Sequence, residues 1–236
     1  MKVLRAVLLV GGAGTRLRPY TFVMPKALVP VDGRPILAIV LDQLAKGGFT
    51  EATLCLGHHA GYLKAWLESA EELPSGLHLS HILESSPLGT AGAVRQVPRP
   101  AESFLVMNGD ILTTLDYAGF LRAHEASGAA LTIATTHRET TTDLGILEFD
   151  ENDRLREYVE KPLHNYWVSM GIYAWHPRVL DRVQPGERID LPDLVRRLLA
   201  AGETVRVHRS EDYWLDIGRP DDYERAEKEY RGIFKS

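Results

Sequence analysis

Residues 3–19 read Val3-Leu4-Arg5-Ala6-Val7-Leu8-Leu9-Val10-Gly11-Gly12-Ala13-Gly14-Thr15-Arg16-Leu17-Arg18-Pro19. An apolar run that ends abruptly in glycines suits a strand of a parallel sheet, buried on both faces. The glycines let backbone N–H groups come close to an anion. The junction of strand and loop is therefore a candidate phosphate site, although a tight turn with solvated charges reads the glycines equally well. Two common phosphate loops are excluded. No Gly-Lys-Ser/Thr follows at P-loop spacing, and Leu17 stands where a dinucleotide fingerprint would place its last glycine. Two cations share this loop instead: Arg16, and Lys26 within Met24-Pro25-Lys26-Ala27-Leu28-Val29-Pro30.

Outward from that strand, apolar residues recur at helical spacing from Ile36 to Leu44 and stop at Gly47-Gly48. Strands are expected near 51–57 and 78–83, helices near 60–70 and 91–97. The apolar strand from Phe104 to Met107 then runs into Asn108-Gly109-Asp110. Strands separated by crossover helices predict an α/β fold: a doubly wound, mostly parallel, Rossmann-like sheet flanked by helices, with ligands at the strand C-terminal ends. From 129 onward the pattern turns β-rich, with strands near 129–136, 144–149, 155–160, 167–175, 204–209 and 213–217. Helices return near 176–182, 191–201 and 220–231. No repeat or linker interrupts the chain. One domain over 1–236 is expected, divided into parts of about 1–128 and 129–218 with a C-terminal helix of about 220–231.

The 236 residues are 44% hydrophobic and 25% charged, an ordinary globular balance that predicts a fold throughout. Twenty-seven basic and 32 acidic residues give a net charge of −5, which argues against a polymeric nucleic acid as partner. The single cysteine, Cys55, sits in an apolar run and reads as a small buried hydrophobe. Arg5 and Gly11-Gly12 break the N-terminal run short of a signal peptide. No stretch approaches the ~20 apolar residues of a membrane span, so no membrane partner and a cytoplasmic location are the expectation. His58-His59 lack a third ligand at metal spacing. Trp66, Trp167, Trp175 and Trp214 read as core or pocket walls.

The string from Gly11 to Pro19, followed by Pro25-Lys26-Ala27-Leu28-Val29-Pro30-Val31-Asp32-Gly33-Arg34-Pro35-Ile36, resembles the signature of the sugar nucleotidyltransferase family. Further strings come in the family's order: Pro87-Leu88-Gly89-Thr90-Ala91-Gly92, Asn108-Gly109-Asp110, Glu160-Lys161-Pro162 and Trp214-Leu215-Asp216-Ile217-Gly218. The resemblance implies a magnesium-dependent enzyme that joins a nucleoside triphosphate to a sugar 1-phosphate and releases pyrophosphate. By that resemblance the nucleotide lies on Leu9, Gly11, Gly12, Ala13, Gly14, Thr15, Arg16, Pro87, Gly89, Thr90 and Gly109. Arg16 grips the pyrophosphate, and Lys26 bridges the α-phosphate and the sugar phosphate. Asp110 and Asp216 hold magnesium. Gly145, Glu160, Lys161 and Ser169 face the sugar phosphate, which makes the β-rich part the sugar-binding one; Arg16, Lys26, Asp110, Lys161 and Asp216 form the catalytic set. Taken alone, each aspartate also reads as a cap or turn residue, Glu160-Lys161 as an exposed ion pair and Gly145 as a strand bulge.

Ser169 departs from the family, where asparagine is frequent. The Pro-Lys-Ala-Leu-Val-Pro and Pro-Leu-Gly-Thr-Ala-Gly strings look most like guanylyltransferases acting on mannose or heptose 1-phosphate, with thymidylyl and uridylyl relatives of glucose or amino-sugar phosphates as competitors. A silent nucleotide-sugar sensor is the alternative of a different class, and the intact cation and carboxylate set argues against it. The resemblance implies a stand-alone transferase with no C-terminal left-handed β-helix. Relatives are often dimers or tetramers, so self-association is expected.

Overall fold

The computed structural model describes residues 3–70 and 73–234. Strand β1 (Arg5–Leu9) is followed by three short 3-10 turns and a small ladder of β2 (Pro30–Val31) with β3 (Arg34–Pro35). Then come α1 (Ile36–Lys46), β4 (Glu51–Leu56), α2 (Ala60–Ser69), β5 (His78–Leu83), α3 (Gly89–Arg95), β6 (Phe104–Asn108) and β7 (Ile111–Thr113). The later elements are α4 (Tyr117–Ser127), β8 (Leu131–Thr141), β9 (Ile146–Phe149), β10 (Leu155–Val159), β11 (Leu163–Trp175), α5 (Leu191–Ala200), β12 (Val205–Ser210), β13 (Trp214–Asp216) and α6 (Pro220–Phe234).

Seven strands make the central sheet in the order β12-β8-β11-β6-β1-β4-β5. Every neighbouring pair is parallel except the two that involve β11. The fold is thus the doubly wound, mostly parallel arrangement that the alternation of strands and helices predicts. Its two-sided core explains the apolar runs. Ala6 and Leu8 of β1 pack into one core with α1, α4 and α6, whereas Val7 joins Val94, Val106 and Leu194 in a second core beneath α3 and α5. Both faces of the strand must be apolar, and each leucine fully removed from water contributes roughly 1.5–3 kcal/mol.

Three differences from the sequence reading have physical causes. Helix α4 was not among the expected elements. Its signals are the Asp116 carboxylate, which accepts a hydrogen bond from Gly119 N (2.9 Å), and Gly128 at the far end in the left-handed region. The segment near 176–182 is a 3-10 helix, Pro177–Arg182, too short for an α-helix to propagate. Strands β8 and β11 run past their expected limits, from Leu131 to Thr141 and from Leu163 to Trp175.

That extra length shapes the molecule. The inner half of β8 and the last residues of β11 lie in the sheet, while residues 137–141 and 163–167 project beyond the C-terminal edge of β1 and β6 and pair only with each other. Between them in the chain stands the hairpin of β9 and β10, a separate two-stranded sheet.

Candidate active site

A cavity of about 760 Å³ opens at the C-terminal ends of β1, β4 and β6, where ligands collect in open α/β sheets. Its floor is the glycine loop. Gly11 must lack a side chain: the Gly11 and Gly57 backbones meet so closely that a Cβ on Gly11 would stand 2.9 Å from Gly57 N, and His58 N donates to Gly11 O (3.0 Å). This contact between the loops after β1 and β4 holds the loop open toward the cavity. Leu9, Gly11, Gly12, Ala13, Gly14, Thr15, Arg16, Lys26, Pro87, Gly89, Thr90, Gly109 and Asp110, all expected from sequence, line the space.

At its mouth three charged groups meet. The Lys26 ammonium touches the Asp110 carboxylate and donates to Asp216 Oδ1 (3.3 Å), across 190 positions of sequence. Residue Asp216 ends β13, which pairs with β7 immediately after Asp110; the two aspartates are thereby held by one small antiparallel ladder. Burial pushes the Asp110 carboxyl above the ordinary carboxylate range and Asp216 adds to the rise, while Lys26 opposes it. Oδ1 of Asp110 is buried and has no hydrogen-bond partner. Two carboxylates against one ammonium, with one oxygen unsatisfied, can take more positive charge. Hard oxygen donors of this number suit a divalent ion that also binds substrate phosphate. Arg16 sits on the same rim: a Cβ on Gly218 would lie 3.5 Å from Asp216 Oδ2 and 3.6 Å from the Arg16 guanidinium.

The other expected residues lie outside the cavity lining. Lys161 follows β10 with φ 45°, a left-handed conformation that costs a side-chain-bearing residue about 1–2 kcal/mol. Glu160 Oε2 accepts from the Tyr158 hydroxyl (3.0 Å), and a Cβ on Gly145 would come within 2.5 Å of that same hydroxyl. Gly145, Tyr158 and Glu160 therefore form one contact set at the open end of the hairpin. Ser169 Oγ donates to the Tyr173 hydroxyl (3.0 Å) and accepts from Gly171 N (3.2 Å). Asn108, at the end of β6, lines the cavity, and its amide packs against Gly171. Ser169 is thus the next exposed polar group beyond the cavity on β11.

Several lining residues went unnoticed as site residues in the sequence, Glu84 and Asp190 foremost. Glu84, just past β5, accepts Leu88 N on Oε2 (3.1 Å); a polar residue at the C-terminal end of a parallel strand is the signal that marks it. Asp190 accepts from Thr90 N (2.9 Å) and Thr90 Oγ1 (3.3 Å), and Thr90 Oγ1 in turn accepts from Leu191 N (2.8 Å). The starts of α3 and α5 cap each other across 100 residues, which no local pattern announces. His58, Asn108, Ser85 and Ser86 also line the cavity. Cys55 also reaches the cavity wall but is fully buried, its thiol pushed up to about 12 by burial, so it is an inert wall. Of the tryptophans, Trp175 is core and Trp167 is 43% exposed. Among the described residues no cluster of three or more His, Cys, Asp or Glu side chains is placed to hold a metal ion, and no helix is long and apolar enough to cross a membrane.

A family model described as nucleotidyl transferase matches residues 5–232. The chain belongs to this nucleotidyl transferase family. It is 31% identical over 226 residues to the mannose-1-phosphate guanylyltransferase catalytic subunit beta of Dictyostelium discoideum, covering 93% of this chain and 62% of that one. With the mannose-1-phosphate guanylyltransferase of Mycobacterium tuberculosis (strain ATCC 25618 / H37Rv) it shares 31% over 240 residues, 98% of this chain and 66% of the other. The chain thus spans less than two thirds of the length of these relatives. Among solved structures, HddC from Yersinia pseudotuberculosis complexed with GMP-PN superposes with a TM-score of 0.74 at 24% identity, covering 97% of this chain and all of that one. The cavity therefore sits on a fold shared with that solved structure.

Proposed function

We propose that the chain is a sugar-1-phosphate nucleotidylyltransferase that uses GTP and mannose 1-phosphate or heptose 1-phosphate, with magnesium, to make a GDP-sugar and pyrophosphate. The observation that carries the reading is the convergence of Lys26, Asp110 and Asp216 at the mouth of a glycine-floored cavity. A phosphate oxygen of the sugar 1-phosphate is already anionic, so it attacks the α-phosphorus of the nucleotide in line, the α–β phosphoanhydride bond breaks and pyrophosphate leaves. No protein nucleophile or base is required, and positioning and charge neutralisation supply the rate.

The roles follow the family resemblance, and the placement of the cluster supports them. Backbone N–H groups of Gly11 to Gly14 cradle the nucleotide phosphates. Arg16, on the rim, holds the departing pyrophosphate. The Lys26 ammonium, 11% exposed, neutralises the two reacting phosphates where water is scarce and charge interactions are strong. Asp110 and Asp216 would hold magnesium, which when bound neutralises phosphate charge and aligns the triphosphate. Lys161 and Glu160, with Gly145 and Ser169, receive the sugar phosphate on the β-rich part. In this reading residues about 1–128 serve the nucleotide and about 129–218 the sugar.

Support for guanine comes from Glu84. One carboxylate oxygen is held by Leu88 N and the other lies beside Gly11 at the cavity floor. A carboxylate accepts only. Guanine offers it two adjacent donors, the ring N1–H and the 2-amino group; thymine and uracil offer one N–H between two carbonyls that a carboxylate repels. Glu84→Gln replaces one acceptor with a donor. Pyrophosphate release with GTP, dTTP and UTP should show the preference for GTP falling by about 10-fold or more, and an unchanged preference would remove Glu84 from base recognition.

A further inference from the structure

The strand order lays the substrates out along one edge. Glu84 follows β5, the glycine loop follows β1 and Asp110 follows β6, in the spatial order β5-β4-β1-β6-β11-β8-β12. With the base at the β5 side and the phosphates over β1 and β6, the sugar runs toward β11, β8 and β12. The cavity lies on the sheet face that carries the paired Leu9 and Cys55, the face on which Ala93 of α3 packs, and the residues that continue this face are fixed by register. Side chains directly opposite each other on paired strands share a face. Ser169 pairs with Thr135, and Thr135 with Arg209; one step outward, Trp167 pairs with His137. All lie on the face of Tyr173, to which Ser169 donates.

The far group is unusual for a solvated surface. The Trp167 ring, 43% exposed, has His137 against it at 5.5 Å edge to face and the Arg209 guanidinium over it at 5.3 Å. Arg209 has no ion pair or hydrogen bond among the described residues. Several arginines pair with carboxylates, Arg99 with Asp181, Arg182 with Glu203 and Arg197 with Glu187, whereas Arg138 lies over the Trp214 ring much as Arg209 lies over Trp167. Glu139, on the same face one pair beyond His137, makes no ion pair with Arg209. Arg209 is thus a guanidinium oriented by an aromatic ring, with its N–H donors unclaimed by the described residues. Such a fork matches a planar or tetrahedral oxyanion, and an indole face suits the C–H surface of a sugar.

We infer that Trp167, His137 and Arg209 form the far wall of the sugar subsite, and that the sugar 1-phosphate used by this chain carries a second anionic group at the end remote from its anomeric phosphate. The inference rests on the proposed transferase reading and narrows its substrate: a mannose- or heptose-type 1-phosphate bearing a carboxylate or a second phosphate. The 1-phosphate meets Lys26 and Lys161, the ring lies along Ser169 and Trp167, and the distal anion meets Arg209. Arg209 is a binding and specificity residue and takes no part in bond making.

The test compares mannose 1-phosphate, mannuronic acid 1-phosphate and mannose 1,6-bisphosphate, with GTP and magnesium, in the full chain and in its Arg209→Ala and Arg209→Lys variants. Arg209 is exposed, so both variants should fold, and circular dichroism checks this. The native chain should prefer one of the two anionic sugars in kcat/KM, and which one separates carboxylate from phosphate. Arg209→Ala should cut the ratio of anionic to neutral kcat/KM by about 10- to 100-fold, mainly through KM. Arg209→Lys should fall between, since it keeps the charge and loses the planar stack. A native preference for the neutral sugar, or an equal loss on all three in Arg209→Ala, overturns the inference while leaving the transferase reading intact. If no nucleotide and sugar pair releases pyrophosphate, the transferase reading fails. Calorimetric titration of the three sugar phosphates then decides this site alone: tighter binding of an anionic sugar that Arg209→Ala abolishes upholds it, and equal binding of all three overturns it.

Discussion

Strands β8 and β11 each belong to two different environments. Their inner residues, Leu131 to Thr135 and Met170 to Trp175, are largely buried in the sheet, and Leu131, Ala134, Met170 and Trp175 have essentially no exposed surface. Their outer residues are nearly all exposed, and in β9 and β10 every residue is exposed. A two-stranded sheet is marginal in water without something packed on it. By register, Leu147, Phe149, Leu155 and Tyr158 share one face of this hairpin, each at least half exposed. The half proposed to take the nucleotide is tied together by its own loops, through the Gly11–Gly57 and Thr90–Asp190 contacts. The half proposed to take the sugar is an open frame, its hairpin exposed at every residue. On the proposed reading, catalysis by charge placement draws on the rigid half and choice among sugars on the open one.

The largest effect should come from the rigid half. Asp110→Asn removes a carboxylate charge from the Lys26 cluster without changing shape, and kcat for magnesium-dependent pyrophosphate release should fall by ~10³-fold with the melting temperature nearly unchanged. Undiminished turnover would take Asp110 out of the reacting centre and erase the contrast between the halves.

The second effect tests how firmly the inner part of β8 is held. His124 is 1% exposed, and its Nδ1 lies 2.8 Å from Thr132 Oγ1 of β8. Burial, with smaller contributions from His176 and Arg178, pushes its imidazole down to about 4. The unfolded chain then binds a proton near pH 6.5 that the folded chain refuses until about pH 4. Stability from this group is complete above pH 6.5 and declines as the pH falls through that window, by about 3 kcal/mol in all. Denaturant melts from pH 7 to pH 4 should show the decline, and His124→Asn, which can keep a bond to Thr132, should flatten it. An equally steep decline in the variant would place the acid sensitivity elsewhere.

The smallest effect lies on the open frame. Lys161→Ala should raise KM for the sugar 1-phosphate by about 10- to 100-fold while the KM for the triphosphate changes little. A rise confined to the triphosphate would move Lys161 to the nucleotide side and break the division of labour.

Much of the rigid half was legible in the residues because its determinants are local. Apolar runs stopped by glycine mark β1 and α1, while the glycine loop and Asp110 stand at strand ends and take their reading as a site from the family resemblance. Helix α4 carried readable signals in Asp116 and Gly128 that the sequence reading passed over. Asp190 was not legible: its role depends on Thr90, 100 residues away, and by itself it reads as a helix cap. Glu84 was within reach, because the first polar residue past the end of a parallel strand faces the ligand edge of the sheet. For the open half, sequence suggested β structure but not that β8 and β11 would outrun the sheet, since alternating polar residues fit a half-buried strand and an exposed ladder alike.

Whether the two halves serve one reaction is tested most directly by pyrophosphate release with magnesium, measured for GTP, dTTP, UTP, CTP and ATP against mannose, heptose, glucose and N-acetylglucosamine 1-phosphates. Release should require both substrates and be strongest with GTP and a mannose- or heptose-type sugar. No release from any pair, with a nucleotide sugar still bound tightly, would contradict the transferase reading and make the cavity a sensor.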